Sequence, residues 1–140
     1  MQILYPLFAL FALTAGLVFR LGFIRMAAVR AREVDWRYYL AYRGGEEPER
    51  LRVASRNVVN LFEAPQLFYA AAIITYVTGQ TSPLLVTLAW LYVALRFIHS
   101  YVHLTSNVLV VRFRIFGLSW LTLVALWAVL GIQLALAGGA

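Results

Sequence analysis

Cysteine is absent from this chain, lysine is absent too, and Asp35 is the only aspartate. Without cysteine the protein has no disulfide, no thiolate nucleophile of its own, no cysteine zinc cluster and no haem-attachment pair. One aspartate leaves no Asp-based triad inside an apolar segment. No glycine-rich phosphate loop is present, and Gly117-Leu118-Ser119-Trp120-Leu121 lacks the second glycine of a nucleophile elbow. Charge of either sign is scarce as well, at 13% of 140 residues, where an average globular protein carries about 25%. A water-soluble domain of this size has too much surface to cover with so few charges.

What fills the chain instead is hydrocarbon. Hydrophobic residues make up 63%, and the mean hydropathy is +0.79. Apolar runs over about residues 3–24, 58–77, 84–104 and 115–136 each match the ~20 residues that cross a bilayer as helix. The expected fold is therefore all-α, a four-transmembrane-helix bundle forming a single integral membrane domain over residues 1–140. The first run does not read as a signal peptide, because basic residues follow it rather than precede it.

All 12 basic residues are arginine, and the net charge is +6. In a soluble protein that balance would suggest nucleic acid. Here the arginines flank or interrupt apolar spans, so topology plus an anion site is the simpler reading and no nucleic-acid partner is expected. Residues 25–54, with Gly44-Gly45 as a turn, and a short loop from Ser106 to Arg114 carry nearly every arginine. The 79–83 turn and both ends are uncharged. The positive-inside rule then places the 25–54 loop in the cytoplasm and both termini on the non-cytoplasmic side. Glu46, Glu47, Pro48 and Glu49 read as a helix start, with acids at the positive end of the dipole, and that helix should run on into the second span.

Polar residues interrupt the two middle spans. Arg56, Asn60 and Glu63 lie at i, i+4 and i+7, within about 60° of one another on a helix. Arg96, His99, His103 and Asn107 form a second stripe at i, i+3, i+7 and i+11, with Tyr92 a turn earlier. The two helices run antiparallel, so a rise of about 1.5 Å per residue sets Arg96 near the level of Glu63 and the histidines near Asn60 and Arg56. Together they suggest one polar cleft, closed about halfway across. A charge near mid-bilayer costs about 2.5–3.5 kcal/mol on insertion scales, so such groups pair, face water or bind something charged. An expected Glu63–Arg96 pair leaves Arg56, with Arg112 or Arg114 at the mouth, as surplus cations suited to a ligand bearing carboxylates. Two histidines and a glutamate are too few for a metal site.

At these residues the chain resembles the MAPEG superfamily of microsomal glutathione transferases, leukotriene C and prostaglandin E synthases and small bacterial relatives. The most specific match is R-x3-N-x2-E followed by proline, here Arg56, Asn60, Glu63 and Pro65; a second is R-x2-H, here Arg96 and His99. The resemblance covers nearly the whole chain and is strongest to a bacterial-type branch, which implies an inner-membrane location. It implies a homotrimer with glutathione as co-substrate between neighbouring subunits, and a lipophilic small-molecule electrophile arriving from the membrane lipid. Carried over, Arg56, Asn60, Glu63, Arg96, His99 and His103 would bind glutathione, and Arg112, the nearest match in spacing, with Arg114 as the alternative, would be the catalytic residue that favours the thiolate. Eukaryotic members carry tyrosine where this chain has His103. Two rival readings stand beside this one: a non-catalytic membrane scaffold whose polar stripe locks helices together, and a thiol-independent isomerase or lyase using a histidine as acid–base.

Overall fold

The computed structural model describes residues 1–42 and 45–138. Arg43 and the first glycine of the expected Gly44-Gly45 turn lie outside the described residues, as does Gly139 at the chain end. Helices follow in the order α1 (Leu4–Arg30), α2 (Tyr38–Ala41), α3 (Glu49–Val77), α4 (Pro83–Leu104) and α5 (Leu109–Gly138). All but α2 are long and apolar enough to cross a membrane. The described chain is thus an all-α bundle of four spanning-length helices. α5 packs most extensively on α4, while α1 rests on α3 and α4, and α3 also touches α5.

Local chemistry explains where these helices begin and stop. Pro48 is the N-cap residue of α3, with Glu49 in the first turn, beside the positive end of the dipole. Ser82 caps α4 by accepting from the Leu85 N–H at 3.3 Å, and Pro83 follows at the first helical position. α3 ends in a left-handed residue, Gly79 (φ +71°). The Gly79 N–H bonds to the Tyr76 carbonyl and the Gln80 N–H to that of Thr75, the reciprocal pair of a Schellman cap. α1 ends in the same way, although the left-handed position is filled by Arg32 (φ 57°), with Arg32 and Glu33 donating back to Val29 and Ala28.

The expected loop from Ser106 to Arg114 is shorter in the structure. α5 starts at Leu109, so Arg112 and Arg114 lie in its first turns. Asn107 makes the reversal possible by adopting φ 48° while its N–H bonds to the Val102 carbonyl at 2.8 Å. Asparagine tolerates that conformation better than other side chains, and this lets helix resume two residues later.

The interior is divided by chemistry. Leu10 of α1, Phe68, Ala71 and Ala72 of α3, Leu85, Ala89 and Tyr92 of α4, and Leu123, Leu126 and Leu130 of α5 form one buried apolar core. That core lies toward the 79–83 turn. Nearer the other end the buried positions turn polar: Asn57, Arg96, His99, Ser100 and His103.

Beyond them the α1–α3 connection is anchored by a buried carboxylate. Glu47 accepts from Arg25 Nε at 3.0 Å, and Arg25 Nη2 donates to Ser55 Oγ at 2.8 Å. The Arg25 guanidinium also lies 5.0 Å from the Tyr39 ring centroid. The Tyr39 hydroxyl is buried without a hydrogen bond of normal geometry. That burial, ahead of the neighbouring Glu47 carboxylate, pushes its pKa up to about 12. This network fixes Ser55, one residue before Arg56, at the mouth of the polar section.

Candidate functional site

The buried face of α3 passes through Leu51, Ala54, Asn57, Leu61, Ala64 and Phe68. At about 100° per residue, Asn57, Leu61, Ala64 and Phe68 cluster within roughly 60° of one another. Glu63 falls about 130° from the centre of that cluster, and it is exposed on the surface of the chain. Arg56 is exposed too, while Asn60 sits at the boundary, half-buried. The shared face seen in the sequence is real, but it looks mostly outward.

The expected Glu63–Arg96 ion pair is accordingly not formed. The ion pairs among the described residues are Arg25–Glu47, Arg50–Glu33 and Arg52–Glu46, all in or beside the 25–54 segment. Arg96 is fully buried, and its Nη2 donates to the backbone carbonyl of Asn60 at 2.7 Å. Its guanidinium carbon lies 5.9 Å from the Phe116 ring centroid. Nε and Nη1 of Arg96 have no partner, and neither do Nδ1 of His99, Oγ of Ser100 or the side-chain amide of Asn57. A buried cation with two idle donors is costly unless something polar answers it.

From the other side of the cleft, Arg112 reaches back from the first turn of α5. Its Nη1 donates to Asn107 Oδ1 at 2.7 Å and lies 3.2 Å from His103 Nε2. A guanidinium cannot accept, so His103 Nε2 is the acceptor and its proton sits on Nδ1. The His99 ring lies 5.8 Å from that of His103 and 5.8 Å from that of Phe116.

These groups border two adjoining recesses. One, of about 170 Å³, is lined by Asn60, His99, Leu109, Arg112, Phe113 and Phe116. The other, of about 330 Å³, is lined by Ser55, Arg56, Val59, Asn60, His103 and Arg112. Asn60 and Arg112 belong to both. Of the residues singled out in the sequence, Arg56, Asn60, His99, His103 and Arg112 therefore converge, with Arg96 buried behind Asn60. Glu63 lines neither recess. Arg114 is exposed and lines neither, which separates it from Arg112. No carboxylate is among the lining residues, so the recess has the electrostatics of an anion site with one apolar wall. Among the described residues no three His, Cys, Asp or Glu side chains gather as metal ligands would.

Asn57 and Ser100 were not anticipated. A signal existed for Asn57, which lies at i+3 from Ala54 and i−4 from Leu61 on the buried stripe. No comparable signal marks Ser100, a small hydroxyl among the larger polar groups of Arg96, His99 and His103.

Fold and recess together define a class, a four-helix membrane bundle with a guanidinium-rich pocket toward one end. Residues 3–132 match the MAPEG family, and the chain belongs to it. No curated protein and no solved structure matches the chain.

Proposed function

We propose that the protein is a glutathione-dependent transferase or peroxidase acting on lipophilic electrophiles in the cytoplasmic half of a bilayer, with the recess between α3, α4 and α5 as its thiol site. The observation that carries this reading is the convergence of Arg56, Asn60, His99, His103 and Arg112 on two recesses that share Asn60 and Arg112, with no carboxylate among the lining residues. The ligand it suits is a small polar molecule with more than one carboxylate, which glutathione is. Arg96 lines neither recess and supports the site from behind, through its hydrogen bond to the Asn60 carbonyl.

In this reading Arg56 at the exposed mouth meets a glutathione carboxylate. Asn60 supplies its side-chain amide to the peptide backbone, and Arg96 holds Asn60 in place through its carbonyl. Arg112 faces the sulfur and favours thiolate over thiol by charge. The thiolate then bonds to the electrophilic carbon, and the leaving group departs with its electron pair. Leu109, Phe113 and Phe116 form the apolar wall against which a lipophilic substrate would lie. Glu63 reaches glutathione only from a neighbouring subunit, which makes the site one of a homotrimer. A thiol-independent isomerase would have to use His99, which borders the smaller recess, since His103 Nε2 is already engaged by Arg112.

Titration calorimetry on the purified protein tests the reading. Arg56→Ala removes a charged contact and should weaken glutathione binding roughly tenfold or more. Arg112→Ala should leave affinity for glutathione nearly intact while abolishing the thiolate absorbance of the bound tripeptide. No heat from the unaltered protein, or Arg56→Ala binding as well as it does, overturns the proposal. We also propose that both termini face away from the cytoplasm; a reporter fused to the C-terminus should be inactive there, and cytoplasmic activity would reverse the assignment.

A further inference from the structure

One face of α1 is built like a lipid. Phe19, Phe23, Met26 and Arg30 follow at spacings of four, three and four residues, which stacks them on a single side of the helix. All four are exposed. Three apolar side chains thus cover roughly 10 Å of helix length before a guanidinium ends the row.

At that end the chain folds back over the row. The Schellman cap at Arg32 turns the backbone, and α2 returns beside the last turns of α1. Between them lies a hollow of about 430 Å³ lined by Arg25, Met26, Val29 and Arg30 on one wall and Trp36, Tyr39 and Tyr42 on the other. Trp36 and Val29 also border a second hollow with Arg32, Val34, Asp35 and Arg37. The Arg37 guanidinium carbon lies 5.7 Å from the Trp36 ring centroid.

Charge decides what such a place receives. Arg25 is matched by Glu47, and Glu33 is matched by Arg50. Arg30, Arg32 and Arg37 have no carboxylate partner among the described residues, and Asp35 is the only acid bordering either hollow. Asp35 spends one oxygen on the Arg37 backbone N–H, at 2.9 Å. Aromatic rings beside unmatched arginines at the end of a span are the groups that prefer the headgroup layer.

We propose that this recess is a binding site for an anionic phospholipid. The phosphate lies beside Trp36, which borders both hollows, with Arg30 lining one and Arg37 the other, and an acyl chain runs down Met26, Phe23 and Phe19. No residue is shared with the recesses around Asn60 and Arg112, so the site stands whether or not the thiol chemistry does.

Native mass spectrometry of the protein in neutral detergent reads the outcome, with phosphatidylglycerol and phosphatidylcholine of identical acyl chains as probes. The unaltered protein should retain phosphatidylglycerol in preference. Arg30→Gln with Arg37→Gln should cut that preference roughly thirtyfold, taking each surface arginine at the usual strength toward an acidic headgroup. Arg50→Gln with Arg52→Gln removes the same charge from the same segment outside the recess and should leave the preference in place. Soluble glycerol phosphate should not displace the lipid. Equal retention of the two lipids overturns the proposal, and so does an equal loss in both double variants, which would mean diffuse attraction. Displacement by glycerol phosphate alone would make it a soluble-anion site and overturn it too. All four arginines are exposed, so none of the substitutions removes buried packing.

Discussion

Single side chains decide how the polar end of the bundle behaves, and Asn107 shows it most directly. Its left-handed backbone turns the chain from α4 into α5, and its side-chain oxygen accepts from Arg112. The two roles can be separated. Asn107→Gly keeps the turn, since glycine takes a positive φ without steric cost, but it releases the guanidinium. Melting should move little, while the glutathione turnover proposed above should fall about tenfold, the worth of one hydrogen bond to a charged group. Loss of the fold along with turnover would make the asparagine structural only. Tyr39 gives a second test, outside the spans. Its pKa stands at about 12, through burial first and Glu47 second, against an ordinary value of about 10. A phenol raised in this way contributes stability that is fully present below pH ~10 and is lost as pH climbs through its folded value. A difference titration between the unaltered protein and Tyr39→Phe should therefore show one phenol ionising with a midpoint near 12, and at ~10 if the network is not formed.

At the level of the helix, the ends carry the clearest expectations. Gly79 and Arg32 occupy equivalent left-handed positions, one filled by the residue suited to it and one not. A Cβ at Gly79 would meet nothing within 4 Å, so Gly79→Ala should cost only the backbone term, about 1 kcal/mol. Arg32→Gly should have the opposite sign and a similar size. Melting temperatures of the two variants, moving in opposite directions by a few degrees, would confirm that both caps form as described. The same caps mark how far the sequence could be read. Apolar run lengths announced four spanning helices, and Pro48 behind two glutamates announced the start of α3. The α4–α5 connection is shorter than Arg112 and Arg114 suggest, since α5 already begins at Leu109. Arg112 instead folds back onto Asn107 and His103, and a helix turn tolerates a cation whose charge is met in this way. For the candidate site, spacing showed that Arg56, Asn60 and Glu63 share a face. It could not show which way that face points, because direction depends on the heavier apolar stripe through Leu51, Leu61 and Phe68. The expected Glu63–Arg96 pair is therefore absent, and Asn57, on the apolar stripe, is the polar residue that points inward.

For the molecule as a whole, the outward face of α3 is the unresolved cost. Glu63 and Gln66 are exposed on a helix long and apolar enough to cross a bilayer. Left against lipid, a carboxylate at that depth costs about 2.5–3.5 kcal/mol on insertion scales. None of the described chain's own cations pairs with Glu63. A second copy can remove the cost by bringing its own polar groups to that face, and a closed ring of copies removes it for every chain at once. The homotrimer proposed above is the ring that also sets Glu63 of one subunit against the recess of its neighbour. Replacing both side chains, Glu63→Leu with Gln66→Leu, should make a single chain more comfortable in lipid and weaken its association. Native mass spectrometry in mild detergent should show trimers for the unaltered protein and a shift toward monomer for the double variant, with glutathione binding lost in step. If the unaltered protein is monomeric and still binds glutathione, the site is complete within one chain, and the outward polar face at mid-span must then answer to a different protein.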